Sequence, residues 1–216
     1  MNNEPEELEI INRLRSEHID LDSFFMERWN RSLPLAELIG DRWERAKRLG
    51  FGENSSIYDS SIVFGDVKVG ENTWIGPYTI LDGSGGLEIG SFCSISAGVQ
   101  IYSHDSVLWA LSGGESQYER EKVVIGDRCY IGPNSVISRG VHIGNGSVVG
   151  AMSFVKEDVP EGRLAVGIPA KVKGYVFIKD GKLIMQSRAE QSRAEQSRAE
   201  QSRAEQSRAE QSRAEQ

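Results

Sequence analysis

The chain has 216 residues, and because its last 31 are a simple repeat, the part able to bury a core is about one ordinary domain in size. A net charge of −7 with no basic stripe argues against a nucleic-acid partner, and no apolar stretch is long enough to span a bilayer. The acidic start, Met1 to Glu9, carries no apolar leader, and Cys93 and Cys129 lack any Cys-x-x-Cys spacing, so a cytoplasmic protein without a disulfide framework or zinc site is expected.

From Glu6 to about Leu49 the apolar residues fall at helical spacing: Leu8, Ile11 and Leu14, then Leu21, Phe24, Phe25 and Trp29, then Leu35, Leu38, Ile39, Trp43 and Ala46. Pro34 is placed to open the last helix as a first-turn residue, and Gly50 to close it. Residues 1–50 thus read as a helical region.

After Gly52 aliphatic residues recur every six positions, a period no helix has: Ile57, Val63, Val69, Ile75 and Leu81. A two-residue shift through Asp82-Gly83-Ser84-Gly85-Gly86 resets the frame to Ile89, Ile95 and Ile101, and it resumes at Ile125, Ile131, Ile137, Ile143, Val149 and Val155. Four residues after many of these stands a small or β-branched residue, among them Ser61, Thr73, Thr79, Cys93, Cys129, Ser135, Ser147 and Ser153, and glycine often follows the aliphatic directly. Such a chain makes a short strand, turns, and repeats, so that three hexads close one coil of a prism and stacked coils bury one aliphatic ladder per side. The glycines and small residues are expected to permit the corners. Residues 51–174 therefore read as a mainly β unit, a parallel β-helix.

One segment, 103–124, carries no hexad signal although the frame is preserved on either side, and reads as a long ejected loop of functional character. Beyond the prism, Asp180-Gly181 between apolar residues predicts a hairpin over 175–185 with a type I′ turn. The tail, 186–216, repeats Gln-Ser-Arg-Ala-Glu and lacks large apolar side chains, so it builds no core; it is expected to be disordered or a solvated helix without catalytic role.

The repeats, the ejected loop and the closing Val149-Gly150-Ala151-Met152-Ser153-Phe154-Val155, Asp158-Val159-Pro160 and Gly167-Ile168-Pro169-Ala170-Lys171-Val172 resemble the left-handed β-helix acetyltransferases. The likeness is to the maltose, galactoside and xenobiotic acetyltransferase branch and its relatives in cell-surface polysaccharide pathways, over Ile57 to Gly174. It implies a left-handed prism, a homotrimer with sites in the clefts between prisms, and transfer of an acyl group from acetyl-CoA or another acyl-CoA to a hydroxyl or amine, with no metal.

In that branch a histidine opens the ejected loop, which places His104 as general base; an imidazole suits the task because its unperturbed pKa lies near neutrality. Asp105 is its candidate assistant, although adjacent side chains on a strand point to opposite faces. Asp82 resembles an acceptor-binding acid of the sugar-acetylating members. For coenzyme A the resemblance points to Ala151 against the pantetheine, Lys156 and Lys171 toward the phosphates, and Pro169 near the adenine. The stretch Arg163 to Lys173, with three basic residues and no acid, suits a polyanion. The segment between Ile101 and His104 is two residues shorter than in the sugar O-acetyltransferases, and their asparagine is absent from Trp74-Ile75-Gly76-Pro77. A sugar or nucleotide-linked amino sugar destined for surface polysaccharide is therefore expected rather than a simple galactoside or maltose.

Two other classes share the shape. A γ-type carbonic anhydrase needs three histidines converging on zinc, whereas His18 lies outside the prism and no paired spacing is present. A non-catalytic scaffold would need only the prism, since repeats specify fold and function resides in a site.

Overall fold

The computed structural model describes residues 6–187 and, beyond them, residues 190, 192, 193, 196, 197, 200, 201 and 203. These last positions are helical and exposed; the remainder of the repeat tail lies outside the described residues.

The helical region comprises α1 (Glu6–Trp29), α2 (Leu35–Ile39) and α3 (Arg42–Arg48). The last helix of the sequence reading is thus two. Pro34 stands one place before the first turn, as the N-cap of α2, and Gly40 in extended conformation breaks the run. Asp41 then starts α3, its carboxylate accepting the amides of Trp43 and Glu44, both at 2.9 Å. Gly50, with φ +74°, follows the end of α3 as expected. Ala46 of α3 is fully buried and joins Phe51 in the core, so this helix plugs the open end of the prism. Buried Glu37 fastens α2 to the first coil by accepting the amides of Asp59 (3.0 Å) and Ser60 (2.9 Å) and the Ser60 hydroxyl.

The prism is built from parallel pairs eighteen residues apart, such as Ser56 beside Trp74 and Tyr130 beside Val148. Its first face stacks Ile57, Ile75, Ile95, Ile131, Val149 and Ala165 in register. A second face stacks Val63, Leu81, Ile101, Ile137 and Val155, and a third Val69, Ile89, Ile125 and Ile143. All but half-buried Val63 are buried, which makes the hexad aliphatics the core itself. The second and third faces share one sheet because Ile62–Val69 and Ile80–Ile89 run unbroken around the corner between them.

The corners follow a logic different from the one expected. Left-handed φ is carried by Asn72, Tyr78, Phe92, Arg128, Asn134 and Met152 and by corner glycines such as Gly98 and Gly146, but by none of the glycines that directly follow an aliphatic. The glycine after the aliphatic is needed instead for close approach: a Cβ on Gly132 would lie 2.5 Å from the amide nitrogen of Ala151 in the next coil. At many turns the small residue that follows bridges coils. Thr73 donates its hydroxyl to Gly90 O at 2.8 Å and accepts from Cys93 N at 3.0 Å; Ser55, Ser61, Cys93, Cys129, Ser135 and Ser147 donate to the coil above in the same way.

The chain leaves the prism through Arg163–Gly167, which turns at Ile168-Pro169 into Ala170–Lys179 and then Lys182–Ser187. The hairpin is therefore longer than 175–185. Its turn has the expected type I′ signature, with Asp180 at φ 50° and Gly181 at φ 71°.

The bridging ladder yields a paired prediction. Thr73→Val strands a buried amide and carbonyl and should destabilise by about 1–3 kcal/mol. Thr79, equally buried, has no hydrogen-bond partner for its hydroxyl among the described residues, so Thr79→Val should be neutral or stabilising. Urea unfolding of both variants checks the contrast.

Candidate active site

The two-residue frame shift is absorbed as a bulge. Gly65 faces Gly83 and Val67 faces Leu87, so three residues, Ser84, Gly85 and Gly86, stand against Asp66 alone. The bulge packs tightly on the next coil: a Cβ on Gly85 would sit 2.4 Å from Ser103 O, and the Gly85 amide donates to the Ser103 hydroxyl at 2.8 Å.

Asp82 lies at its foot. Phe64, at the same position of the coil beneath, is 40% exposed, whereas Asp82 is fully buried, covered by Ser84 and by the start of the ejected loop. One carboxylate oxygen accepts the Ser84 amide at 2.7 Å and the Ser84 hydroxyl; the other accepts the Ser103 amide at 3.0 Å and meets His104 Nδ1. Burial alone would raise the Asp82 pKa, but the hydrogen bonds from Ser84, His104 and Ser103 outweigh it and hold the carboxyl below its usual value. Since a carboxylate can only accept, Nδ1 of His104 carries a proton, so in the neutral imidazole the lone pair lies on Nε2. The Ser84 hydroxyl lies 3.2 Å from the same Nδ1.

The ejected loop has structure of its own. His104–Asp105 pairs antiparallel with Glu119–Arg120, and a short helix, α4 (Val107–Leu111), fills part of the span between. Tyr118 stacks on the His104 ring at 6.0 Å and 18°, and Trp109 meets Tyr118 edge-on at 5.5 Å. The imidazole side chain remains one quarter exposed, at 25%.

The structure thus brings His104 and Asp82 together and separates Asp105 from them. Asp105 accepts from Arg139 Nε at 2.6 Å and from the Val107 amide at 3.1 Å, and Arg139 with that amide keeps its carboxyl ionised below the usual range. Arg139 also reaches Glu119 at 2.9 Å and Glu121 at 3.2 Å. Asp82, expected to hold the acceptor, has both oxygens engaged inside the protein and occupies the orienting place expected of Asp105.

The residues expected to meet coenzyme A do not converge within one chain. Ala151 is exposed where the first face turns into the second, packed on Gly132; Lys156 is exposed at the far edge of that second face, in the column of Tyr102 and two coils along. Pro169 is exposed in the turn between Arg163–Gly167 and Ala170–Lys179, and Lys171 is paired with Glu157 at 2.8 Å. A groove of about 790 Å³ between the first face and the terminal hairpin, lined by Tyr130, Val148, Phe177 and Met185 among others, contains none of these residues. His18 lies in α1, His104 in the loop and His142 on the third face, and no cluster of three metal-ligating side chains occurs among the described residues.

Sequence reasoning missed Ser84, Trp109, Tyr118 and Arg139. Ser84 had a signal, since it sits in the frame shift; Trp109 and Tyr118 stand in a loop without periodicity, and Arg139 stands at a corner of the next coil, two residues after Ile137, where nothing in the repeat marks it.

Among known proteins, the bacterial transferase hexapeptide family (six repeats) matches residues 122–157. The N-acyltransferase AntD of Bacillus cereus, solved as a variant with dTDP-4-amino-4,6-dideoxyglucose and coenzyme A, is 31% identical with a TM-score of 0.52, over 56% of this chain and 69% of that one. A hexapeptide-repeat acetyltransferase of Vibrio cholerae, solved with acetyl coenzyme A, is 29% identical with a TM-score of 0.58, over 79% and 90%. WbbJ of Escherichia coli K12, named for O-acetyl transfer in lipopolysaccharide biosynthesis, is 46% identical over 54 residues, 25% of this chain and 28% of that one. Curated relatives such as this are spanned for between 16% and 61% of their length. The stacked hexads, the family match and the shared architecture together make this chain a member of the hexapeptide-repeat transferases.

Proposed function

We propose that this protein transfers an acyl group from acetyl-CoA or another acyl-CoA to a hydroxyl or amine of a sugar or nucleotide-linked sugar, with His104 as general base. The observation that carries the reading is the buried Asp82 carboxylate against Nδ1 of a partly exposed imidazole. That contact fixes the tautomer with a free Nε2, orients the ring, and stabilises the imidazolium formed when it takes a proton. The acceptor gives its proton to Nε2 as its oxygen or nitrogen attacks the thioester carbonyl; the tetrahedral intermediate collapses, and the departing thiolate recovers the proton from His104.

Exposed Lys156 suits a cofactor phosphate, and Lys171 does so on leaving Glu157. Assembly as a homotrimer, with sites in the clefts between prisms, agrees with the lack of convergence of Ala151, Lys156 and Pro169 within one chain, and a place in surface-polysaccharide synthesis agrees with the likeness to WbbJ.

Thiol release from acetyl-CoA across a panel of sugars and nucleotide-linked amino sugars tests the reading. His104→Ala should lower turnover by about 10²–10⁴-fold with the fold intact; full activity in this variant sinks the assignment. Asp82→Asn, which disturbs the tautomer, should lower kcat by roughly 10²-fold or more while sparing KM for acetyl-CoA.

The same carboxylate predicts an acid limb in stability. Its pKa is depressed on folding, so its contribution is fully present above the unfolded value of 3.8 and is lost as pH falls through the lower folded value. Urea midpoints measured down through that window should fall more steeply for the wild type than for Asp82→Asn.

A further inference from the structure

The stems of the ejected loop segregate charge. In the antiparallel pair His104 stands directly opposite Arg120 and Asp105 opposite Glu119. Opposed residues project on the same side of a pair and adjacent ones on opposite sides, so His104 and Arg120 share one face while Asp105 and Glu119 share the other. On that other face Arg139 gathers Asp105, Glu119 and Glu121. On the His104 face Arg120 has no carboxylate within ion-pair distance among the described residues; its guanidinium lies 6.0 Å from the centre of Tyr118, the ring stacked on His104. Its Cβ lies against Gly85 of the bulge, 3.3 Å from where a Cβ there would be. Asp66, beneath the bulge, faces Lys68 at 3.9 Å. In an acidic chain, one guanidinium beside the general base is thereby kept free of internal partners.

Resting on the acyl-transfer reading, we infer that Arg120 binds a phosphate of the acceptor, so that the site takes a nucleoside-diphosphate-linked sugar, with Tyr118 and Trp109 as the apolar wall beside it. A guanidinium presents a planar fork that matches phosphate oxygens, and it costs nothing to free one that is not already paired. Coenzyme A also carries phosphates, but they lie a full pantetheine arm from the thioester, which must reach the nucleophile beside His104. In a nucleotide-linked sugar the diphosphate lies only one sugar ring from the reacting group, which is the separation that facing residues of a two-stranded pair can serve.

The test is direct binding of thymidine diphosphate by calorimetry to the full chain, its Arg120→Ala, Arg120→Lys and His104→Ala variants, with acetyl-CoA titrated in parallel. Arg120→Ala should weaken the nucleotide at least tenfold, Arg120→Lys should recover part of that loss, and His104→Ala should bind as the wild type does, with acetyl-CoA affinity unchanged throughout. In turnover, Arg120→Ala should raise KM for a nucleotide-linked acceptor and leave kcat and the KM of a free amino sugar alone. No nucleotide binding by the wild type, equal binding by Arg120→Ala, or a loss confined to acetyl-CoA each overturns the inference. Failure of the underlying reading has a separate signature, nucleotide binding intact with no thiol released for any acceptor.

Discussion

Every buried backbone group of a coil must find its partner in the coil above or below, and that constraint governs the rest of the molecule. Strand segments two residues long satisfy few of these groups by pairing alone, so the corners complete the set: Thr73, Ser135 and Ser147 each hand a hydroxyl to the carbonyl of the next coil, and Cys93 and Cys129 do the same with thiols. A side chain larger than threonine would not fit such a place, and one without a donor would leave the carbonyl unmet. Stacking at this closeness also forbids a Cβ on Gly132.

Insertions survive only where they respect the ladder. The coil between Ser94 and Tyr130 spans thirty-six residues in place of eighteen, yet the flanking pairs remain in register because the extra chain leaves and re-enters at one corner. The two extra residues near Ser84 are resolved by a bulge, whose displaced amides need acceptors. Asp82 takes Ser84 N and Ser103 Oγ takes Gly85 N, while the second oxygen of Asp82 accepts Ser103 N from the start of the loop. A carboxylate buried to repair the bulge thus carries its charge beneath the loop, and the first loop residue past Ser103 is His104. Structural repair and orientation of the His104 ring are two uses of one side chain.

The aliphatic ladder was legible because its period of six belongs to no other architecture, and the hairpin because Asp180-Gly181 needs φ above zero at both places. The helical region was legible in type and less so in its division, since the break at Gly40 depends on Glu37 being drawn onto Asp59 and Ser60. Glycines such as Gly98 and Gly146 do turn corners, but the role of those that directly follow an aliphatic was not foreseen, because distance to a neighbouring coil is not written in a single coil. Likewise Asp82 and His104 are 22 residues apart, just over one coil, and only the register of the stacked faces brings them together. Alternation along His104–Asp105 did foretell that Asp105 points elsewhere, but nothing local named the residue that would take its place.

That alternation also decides what the site presents to a substrate. The loop stems carry Asp105, Glu119 and Glu121 within reach of His104, enough negative charge to repel a phosphorylated acceptor. Arg139, from the coil above, draws all three to one side, and the two-residue period of the stems leaves His104 and Arg120 on the other. Gly140, at φ +76°, turns the corner beside Arg139 and leaves room for the Glu121 carboxylate against it. The polarity of the candidate site is therefore set less by the residues that face it than by the guanidinium behind it, which keeps an acidic protein from presenting its acids there.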